Sequence, residues 1–189
     1  MPNVQAIWRG VDRHLVSLGA AILVLALVLC VVAAALGAMT APEAAGAAAY
    51  PYMGTRYLIL GLIAVAALVS MTGMPALGEA AALFVGAHGA AWLLIRGVAG
   101  FEGTAHAPYF LLLGAAWLLG WRCVAVLSCL RPSTRWAATA LRLVIPTIFG
   151  VWILIIWEAV TRGAGIPFIL LPPPSAVGAR IVNSLPILA

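Results

Sequence analysis

The 189-residue chain is 65% hydrophobic and only 8% charged, and its mean hydropathy is +1.15. Soluble domains are about half apolar and about a quarter charged, so this composition excludes an ordinary soluble globular domain. It also excludes a disordered chain, which requires low hydrophobicity and high charge. The net charge of +5 comes from Arg residues scattered along the chain, and because none forms a basic run with interleaved aromatics, we exclude nucleic-acid binding.

Five apolar stretches are long enough to cross a bilayer, whose hydrocarbon core requires about 20 apolar residues per helix. They cover residues 15–37, 57–77, 80–99, 107–130 and 143–160. The fold class that they predict is all-α, a polytopic helical membrane protein with about five transmembrane helices. The first stretch follows Arg9 and Arg13 but is longer than the apolar region of a secretion signal, so we predict that it is retained as an anchor.

The distribution of Arg predicts the orientation of the chain. With the N-terminus in the cytoplasm, more Arg lie on or near the inner side than on the outer side, as the positive-inside tendency prefers. The inner set is Arg9, Arg13, Arg122, Arg131, Arg135 and Arg142, and the outer set is Arg56, Arg96, Arg162 and Arg180. Aromatic residues agree, because this orientation places Trp8 and Trp136 at the inner interface and Tyr50, Tyr52, Tyr57, Tyr109 and Trp157 at the outer one.

Three of the ionisable residues inside predicted spans are candidates for function, because burial of such groups in lipid is costly. His88 could bind haem or relay a proton, but no other His lies inside a predicted span, and we favour a hydrogen-bonded packing role. Arg122 could bind a substrate anion, but we favour extension of its long side chain to the cytoplasmic interface. Glu158 precedes Arg162 by four residues, and we predict that this ion pair caps the outer end of the fifth helix.

The sequence shows no pattern that is typical of an enzyme. It has no Ser-His-Asp order, no Gly-rich phosphate loop and no metal motif, and its five acidic residues are isolated from one another along the chain. Cys30, Cys123 and Cys129 have no ligand spacing with His, so we interpret them as small packing residues. We therefore predict neither enzymatic activity nor a cofactor.

A ridge of small residues runs along the third predicted span. Gly78, Ala82, Gly86 and Ala90 recur every four residues. Such spacing lets a neighbouring backbone approach closely, which is a main source of helix association in lipid. We predict a helix–helix interface at this ridge, either within the chain or with a partner subunit.

The last quarter of the chain has a distinctive order of elements. An apolar span ends at Trp157-Glu158 and leads into a turn rich in Gly and Pro. The turn ends with the sequence Leu171-Pro172-Pro173-Pro174-Ser175-Ala176-Val177. Residues 176–185 then form an amphipathic pattern, and we predict a short helix on the outer membrane surface with Ser175 as its N-cap and Pro186 as its stop.

This order resembles the start of the permease subunits of nitrate/sulfonate/taurine-type ABC importers. In that family a span with Trp-Glu near its end leads into a Leu-Pro-x-Pro-Ser-x-Val turn, which is matched here by Leu171, Pro172, Pro174, Ser175 and Val177. The resemblance covers residues 141–189. It implies an importer of a small anionic or organic solute in the bacterial inner membrane, served by an external solute-binding protein and a cytoplasmic ATPase dimer. Residues 1–140 would be a four-span extension that matches nothing in the family.

The EAA loop with which the family docks its ATPase has no counterpart in this sequence. Glu79-Ala80-Ala81 resembles its beginning, but Val85 occupies the position that requires Gly and no Ile-x-Leu-Pro follows, so we interpret this match as accidental. We therefore expect the N-terminal portion of a permease, which is not transport-competent alone. The alternative hypothesis is a small accessory or structural subunit of a larger membrane complex, whose partners are lipid and other membrane subunits.

Overall fold

The computed structural model describes residues 4–39 and 55–188, and the side chains of residues 18–37 and 55–184. Within these ranges the chain forms six helices and no strand, which confirms the predicted all-α class. They are α1 (Val4–Met39), α2 (Arg56–Met71), α3 (Ala76–Gly97), α4 (Ala107–Cys129), α5 (Arg135–Gly163) and α6 (Pro174–Leu188). Residues 40–54, with Tyr50 and Tyr52, and the side chains of Trp8, Arg9 and Arg13 lie outside the described residues.

Four helices in the described part are long and apolar enough to cross a membrane, namely Leu18–Gly37 of α1 together with α3, α4 and α5. The second predicted span is shorter than expected, because α2 has only 16 residues and ends at Met71 rather than continuing to residue 77. Thr72 and Gly73 form a turn in which Gly73 has a φ of +73°, and Pro75 directly precedes α3. The Thr72-Gly73-Met74-Pro75 segment itself predicts a turn, and the apolar stretch runs past it because glycine and proline break a helix without adding charge.

Helices α1 to α5 alternate in direction, and α4 lies at the centre, in contact with α1, α2, α3 and α5. The packed core combines large side chains such as Ile63, Leu83 and Leu119 with many alanines, including Ala67 and Ala87, which are fully buried. Small residues let helix backbones approach closely, and the resulting van der Waals packing holds helices to one another in a lipid environment.

The fifth helix is longer than the apolar stretch that predicted it. α5 begins at Arg135, where Thr134 Oγ accepts a hydrogen bond from the Ala137 N–H at 3.3 Å, and not at residue 143. Pro146 therefore lies in the helix interior. The early turns are polar, so a search for apolar residues missed them, whereas the N-cap fixes the true start.

The structure places Tyr109 differently from the prediction, which assigned it to the aromatic residues at the outer membrane interface. The sequence placed it at the membrane interface, but it is fully buried, and its hydroxyl donates to the Ala159 carbonyl at 3.3 Å. Gly163 makes this burial possible, because a Cβ there would lie 2.9 Å from the tyrosine ring. Tyr109 thus fastens the start of α4 to the end of α5.

Candidate functional site

The end of the bundle where α5 finishes, here called the Arg162 end, carries a cluster of polar side chains. Arg162 donates from Nε to Glu158, from Nη1 to Glu102 at 3.2 Å, and from Nη2 to Ser175 Oγ at 3.0 Å. The predicted pair of Glu158 and Arg162 is therefore present. Glu102 and Glu158 are distant along the sequence, but the fold brings both to one guanidinium group, so the acids are not isolated from one another in space.

Glu158 also holds the start of α6. One oxygen of its carboxylate accepts a hydrogen bond from the Ser175 N–H at 2.9 Å, and the other accepts one from the Ser175 hydroxyl at 2.6 Å. The prediction of Ser175 as N-cap was wrong, because the helix already begins at Pro174, whose fixed φ and missing N–H suit a first helical position. The carboxylate of Glu158 takes over the capping role and places negative charge at the positive end of the helix dipole.

The other end of α6 also differs from its prediction. The helix continues through Pro186 to Leu188 instead of ending before the proline. A proline removes one backbone hydrogen bond and crowds the carbonyl four residues earlier, but residues that follow it can still adopt helical dihedral angles. The backbone hydrogen bond that Pro186 removes therefore does not end the helix at this position.

A close backbone contact supports the polar cluster from beneath. The Gly103 N–H donates to the Arg162 carbonyl at 2.9 Å, and the Ala105 N–H donates to the Gly163 carbonyl at 3.2 Å. Gly103 and Gly165 both have positive φ, and a Cβ on Gly165 would lie 2.6 Å from the Gly103 Cα. The loop between α3 and α4 is thus fixed against the end of α5, which holds Glu102 beside Arg162.

The turn between α5 and α6 forms a cleft of about 330 Å³ next to this cluster. Its walls include Glu102, Arg162, Phe168 and Pro173. The tip of the turn is apolar yet open, because Ile169 is 95% exposed and Leu170 is 75% exposed. Of the residues that match the family turn, Pro172, Pro174 and Val177 are half-buried, whereas Leu171 and Ser175 are exposed.

The opposite end of the bundle, here called the Glu79 end, has a second polar cluster. Arg122 donates to one oxygen of Glu79 from Nε at 3.1 Å and from Nη2 at 2.8 Å, and the Ser70 hydroxyl donates to the same oxygen at 2.6 Å. The long side chain of Arg122 therefore ends in a partly buried ion pair with Glu79, which lies in the first turn of α3. Gly19 of α1 makes room for it, since a Cβ there would lie 2.4 Å from Nη1.

Sequence reasoning missed the role of Glu79, which it used only for the rejected EAA match. The signal was available, because Glu79 directly precedes one predicted span, Arg122 lies near the end of the next, and antiparallel neighbours bring these positions together. Opposite charges within a membrane domain tend to pair with one another.

His88 lies in the middle of α3 beside a groove. Its Nδ1 is 2.9 Å from the Phe84 carbonyl oxygen, its ring stacks on Phe84 at a centroid distance of 4.0 Å, and the ring of Trp152 is 5.3 Å away. These contacts fit the packing interpretation. Within the described residues, no group of three or more His, Cys, Asp or Glu side chains is placed to hold a metal ion.

The small-residue ridge on α3 lies partly against α2. A Cβ on Gly86 would lie 2.4 Å from the Ala66 Cβ and 3.2 Å from the Leu62 carbonyl oxygen, so only glycine fits this crossing. Ala90 is fully buried, Ala82 and Gly78 are half-buried, and Gly78 lies next to the Met74 side chain.

Comparisons with protein-family models, curated proteins and solved structures find no match to the chain. What the protein does is therefore inferred from its own residues and their contacts. The Arg162 end is the stronger candidate site, because its charged groups surround a cleft and connect three separate segments of the chain.

Proposed function

We propose that the chain is the N-terminal membrane portion of an ABC importer permease for a small anionic or organic solute. The single observation that carries this proposal is the bond between Glu158 and Ser175. In the family pattern, the acid ends the span and the serine belongs to the Pro-rich turn. In this chain Ser175 donates two hydrogen bonds to Glu158. This contact offers a physical reason for the distance between acid and serine in the family pattern, because the acid at the end of the span holds the start of the next helix.

The proposed topology has five membrane crossings and a cytoplasmic N-terminus. It makes the Glu79 end cytoplasmic and the Arg162 end external. α2 is about 24 Å long, and a helix slightly shorter than the hydrocarbon core is accommodated by local thinning of the bilayer. Tyr57 and Arg56, at the start of α2, would anchor it at the external interface, and they are hydrogen-bonded to each other at 2.5 Å.

In this orientation α6 and its turn lie on the external membrane surface. The exposed Ile169 and Leu170 would enter the interfacial region, as would Ile181 and Val182 on α6, which are 59% and 62% exposed. The polar cluster behind them would fix the angle between the α5 span and this surface helix. That surface is the side from which an external solute-binding protein would deliver its solute.

The alternative is an accessory subunit, and one observation favours it. Most residues of the buried core lie on α1 to α4, where Glu79, Arg122 and Ser70 already satisfy one another, and α5 adds only Ile148, Trp152 and Ala159. Such a unit could brace a larger membrane complex without any transport chemistry. Under this hypothesis, the apolar side of α5, with Phe149 and Ile153 more than half exposed, is the surface that would contact the complex.

Native mass spectrometry separates the two proposals. The protein would be tagged in its native membrane, extracted in a mild detergent and identified together with its companions. The importer proposal expects a P-loop ATPase in a ratio of two copies per transporter, together with the pore-forming permease spans. Stoichiometric recovery with an unrelated membrane complex and no ATPase would overturn it and leave the accessory subunit.

A further inference from the structure

We propose that the groove beside His88 binds a lipid-soluble quinol, whose ring stacks on Phe84 and whose hydroxyl donates a hydrogen bond to His88 Nε2. The groove lies between α3, α4 and the first half of α5 and has a volume of about 480 Å³. Its walls are almost entirely apolar and include Leu77, Leu127 and Val144. A site of this composition takes an apolar molecule and orients it through a few polar atoms.

The hydrogen bond at Nδ1 determines what His88 can offer to a ligand. A backbone carbonyl can only accept, so the bond to the Phe84 oxygen requires Nδ1 to carry the proton. In the neutral imidazole, Nε2 is then an unprotonated acceptor. No residue in the described part of the chain donates a hydrogen bond to this nitrogen. His88 therefore presents an acceptor beside an apolar groove.

The other polar groups of the groove have already donated their hydrogens. The Thr147 hydroxyl donates to the Leu143 carbonyl at 2.7 Å, and the Cys123 thiol donates to the Ala80 carbonyl at 3.3 Å. Among the described side chains that line the groove, none is left as a donor. A ligand must therefore bring its own donor, and a molecule that only accepts hydrogen bonds, such as a quinone, gains nothing from His88.

The depth of His88 in the bilayer limits which molecules can donate a hydrogen bond to it. It lies about 18 Å from the first residue of α3 and about 14 Å from the last, which is near the middle of a helix that can span the bilayer. The polar groups of glycerolipids remain at the interface, so the donor must belong to a molecule that dissolves in the hydrocarbon core. Phe84 is 43% exposed and lines the groove, so part of its ring is accessible to an aromatic ligand. A quinol carries both the ring and the hydroxyl.

Nitrogen NMR of the full-length protein, labelled with ¹⁵N-histidine and placed in lipid nanodiscs, tests this proposal. Decylubiquinol, kept reduced under anaerobic conditions, is expected to shift the signal of the unprotonated His88 Nε2. Decylubiquinone should leave that signal in place. Because one neutral hydrogen bond distinguishes the two forms, the quinol should bind about 2- to 12-fold more tightly than the quinone.

Two variants complete the test. His88→Phe keeps a flat ring but removes the acceptor, so it should abolish the preference for the quinol while size-exclusion chromatography shows an intact protein. Thr147→Val, in the same groove, should retain the preference, because its hydroxyl is already bound to Leu143. An Nε2 signal that does not move at saturating decylubiquinol, or that moves equally with decylubiquinone, would overturn the proposal without recourse to any variant.

Discussion

Gly165 shows how a single residue fixes the Arg162 end. It has a φ of +62°, and the atoms opposite its missing Cβ belong to the backbone of Gly103 and Glu102. Side-chain rotation therefore cannot relieve a clash there, and the left-handed conformation itself costs about 1–2 kcal/mol for a residue with a Cβ. We predict that Gly165→Ala lowers the stability of the protein by at least about 2 kcal/mol, which is a shift of several degrees in its unfolding temperature.

The measurement is thermal unfolding in detergent, followed by circular dichroism. Gly150→Ala is the matched control, because Gly150 lies on α5, the helix that precedes Gly165, and has no atom within 4 Å of its Cβ position. Replacing a helical glycine at an open position should stabilise by about 0.5–1 kcal/mol. Equal unfolding temperatures for the two variants would show that the contact between Gly165 and Gly103 does not constrain the fold.

Glu158 is the second residue on which the Arg162 end depends. Its carboxylate accepts hydrogen bonds from Arg162 and from two groups of Ser175, and its side chain is only 11% exposed. Glu158→Gln removes the charge and weakens all three hydrogen bonds. A hydrogen bond to an ionised group contributes about 1.5–3 kcal/mol to stability. We predict that α6 separates from the bundle, so that amide hydrogen exchange over residues 174–180 becomes faster.

Glu102→Gln is the control for this prediction. Glu102 binds the same guanidinium group, but its side chain is 46% exposed, and exposed ion pairs contribute at most about 1 kcal/mol. Exchange over residues 174–180 should therefore change little in Glu102→Gln. If both variants accelerate exchange equally, Arg162 rather than Glu158 is the group that holds α6.

At the scale of the elements, one ion pair connects four helices. Glu79 on α3 pairs with Arg122 on α4, Ser70 on α2 donates to Glu79, and Gly19 on α1 makes room for Arg122. Breaking a partly buried pair leaves an uncompensated charge, whereas removing both partners does not. We predict that Glu79→Gln and Arg122→Met each destabilise by about 3 kcal/mol and that the double variant loses less than either alone.

A double-mutant cycle in nanodiscs measures this coupling through the unfolding temperatures of the four proteins. The cycle should give a coupling energy clearly above the roughly 0.5 kcal/mol error expected for independent sites. Additive losses would mean that the two side chains act separately and that Arg122 reaches the interface, as the sequence alone suggested. The exposed pair of Arg96 and Trp92, whose guanidinium carbon lies 5.5 Å from the ring centroid, provides a comparison site away from the core.

The bounds of the helices show what sequence patterns can and cannot predict. Apolar runs located all the long helices, because a segment that crosses lipid must be apolar along its own length, and this can be seen in the local sequence. They misplaced the ends of α2, α5 and α6, since these depend on Gly73, the Thr134 cap and the carboxylate of Glu158. Capping partners distant in sequence cannot be found from composition.

The same limit applied to the candidate site. The pair of Glu158 and Arg162 was predictable, because a separation of four residues places two side chains on one face of a helix. The contributions of Glu102 and Ser175 were not, since they reach Arg162 from segments 60 and 13 residues away. Glu79 and Arg122 are 43 residues apart, and only the antiparallel order of neighbouring spans points to their pairing. Pairs of this kind are set by how the helices pack.

At the scale of the whole molecule, the decisive question is how the bundle sits in the membrane. The Glu79 end contains the turn after α2 and the start of α5, whereas the Arg162 end contains the start of α4 and the turn after α5. Thr72, Ser133 and Ala164 are exposed and therefore report on these ends. If α3, α4 and α5 all cross the membrane, Thr72 and Ser133 lie on one side and Ala164 lies on the other.

Cysteine labelling of intact cells distinguishes the possible topologies. In a chain whose three native cysteines are replaced by alanine, we predict that Ala164→Cys reacts with a membrane-impermeant maleimide added outside. Thr72→Cys and Ser133→Cys should react only after permeabilisation. Labelling of Thr72→Cys from outside, with Ser133→Cys protected, would mean that α3 and α4 do not both cross. Labelling of both from outside, with Ala164→Cys protected, would show that the bundle has the inverted orientation. α6 would then lie in the cytoplasm, where an external solute-binding protein could not reach it.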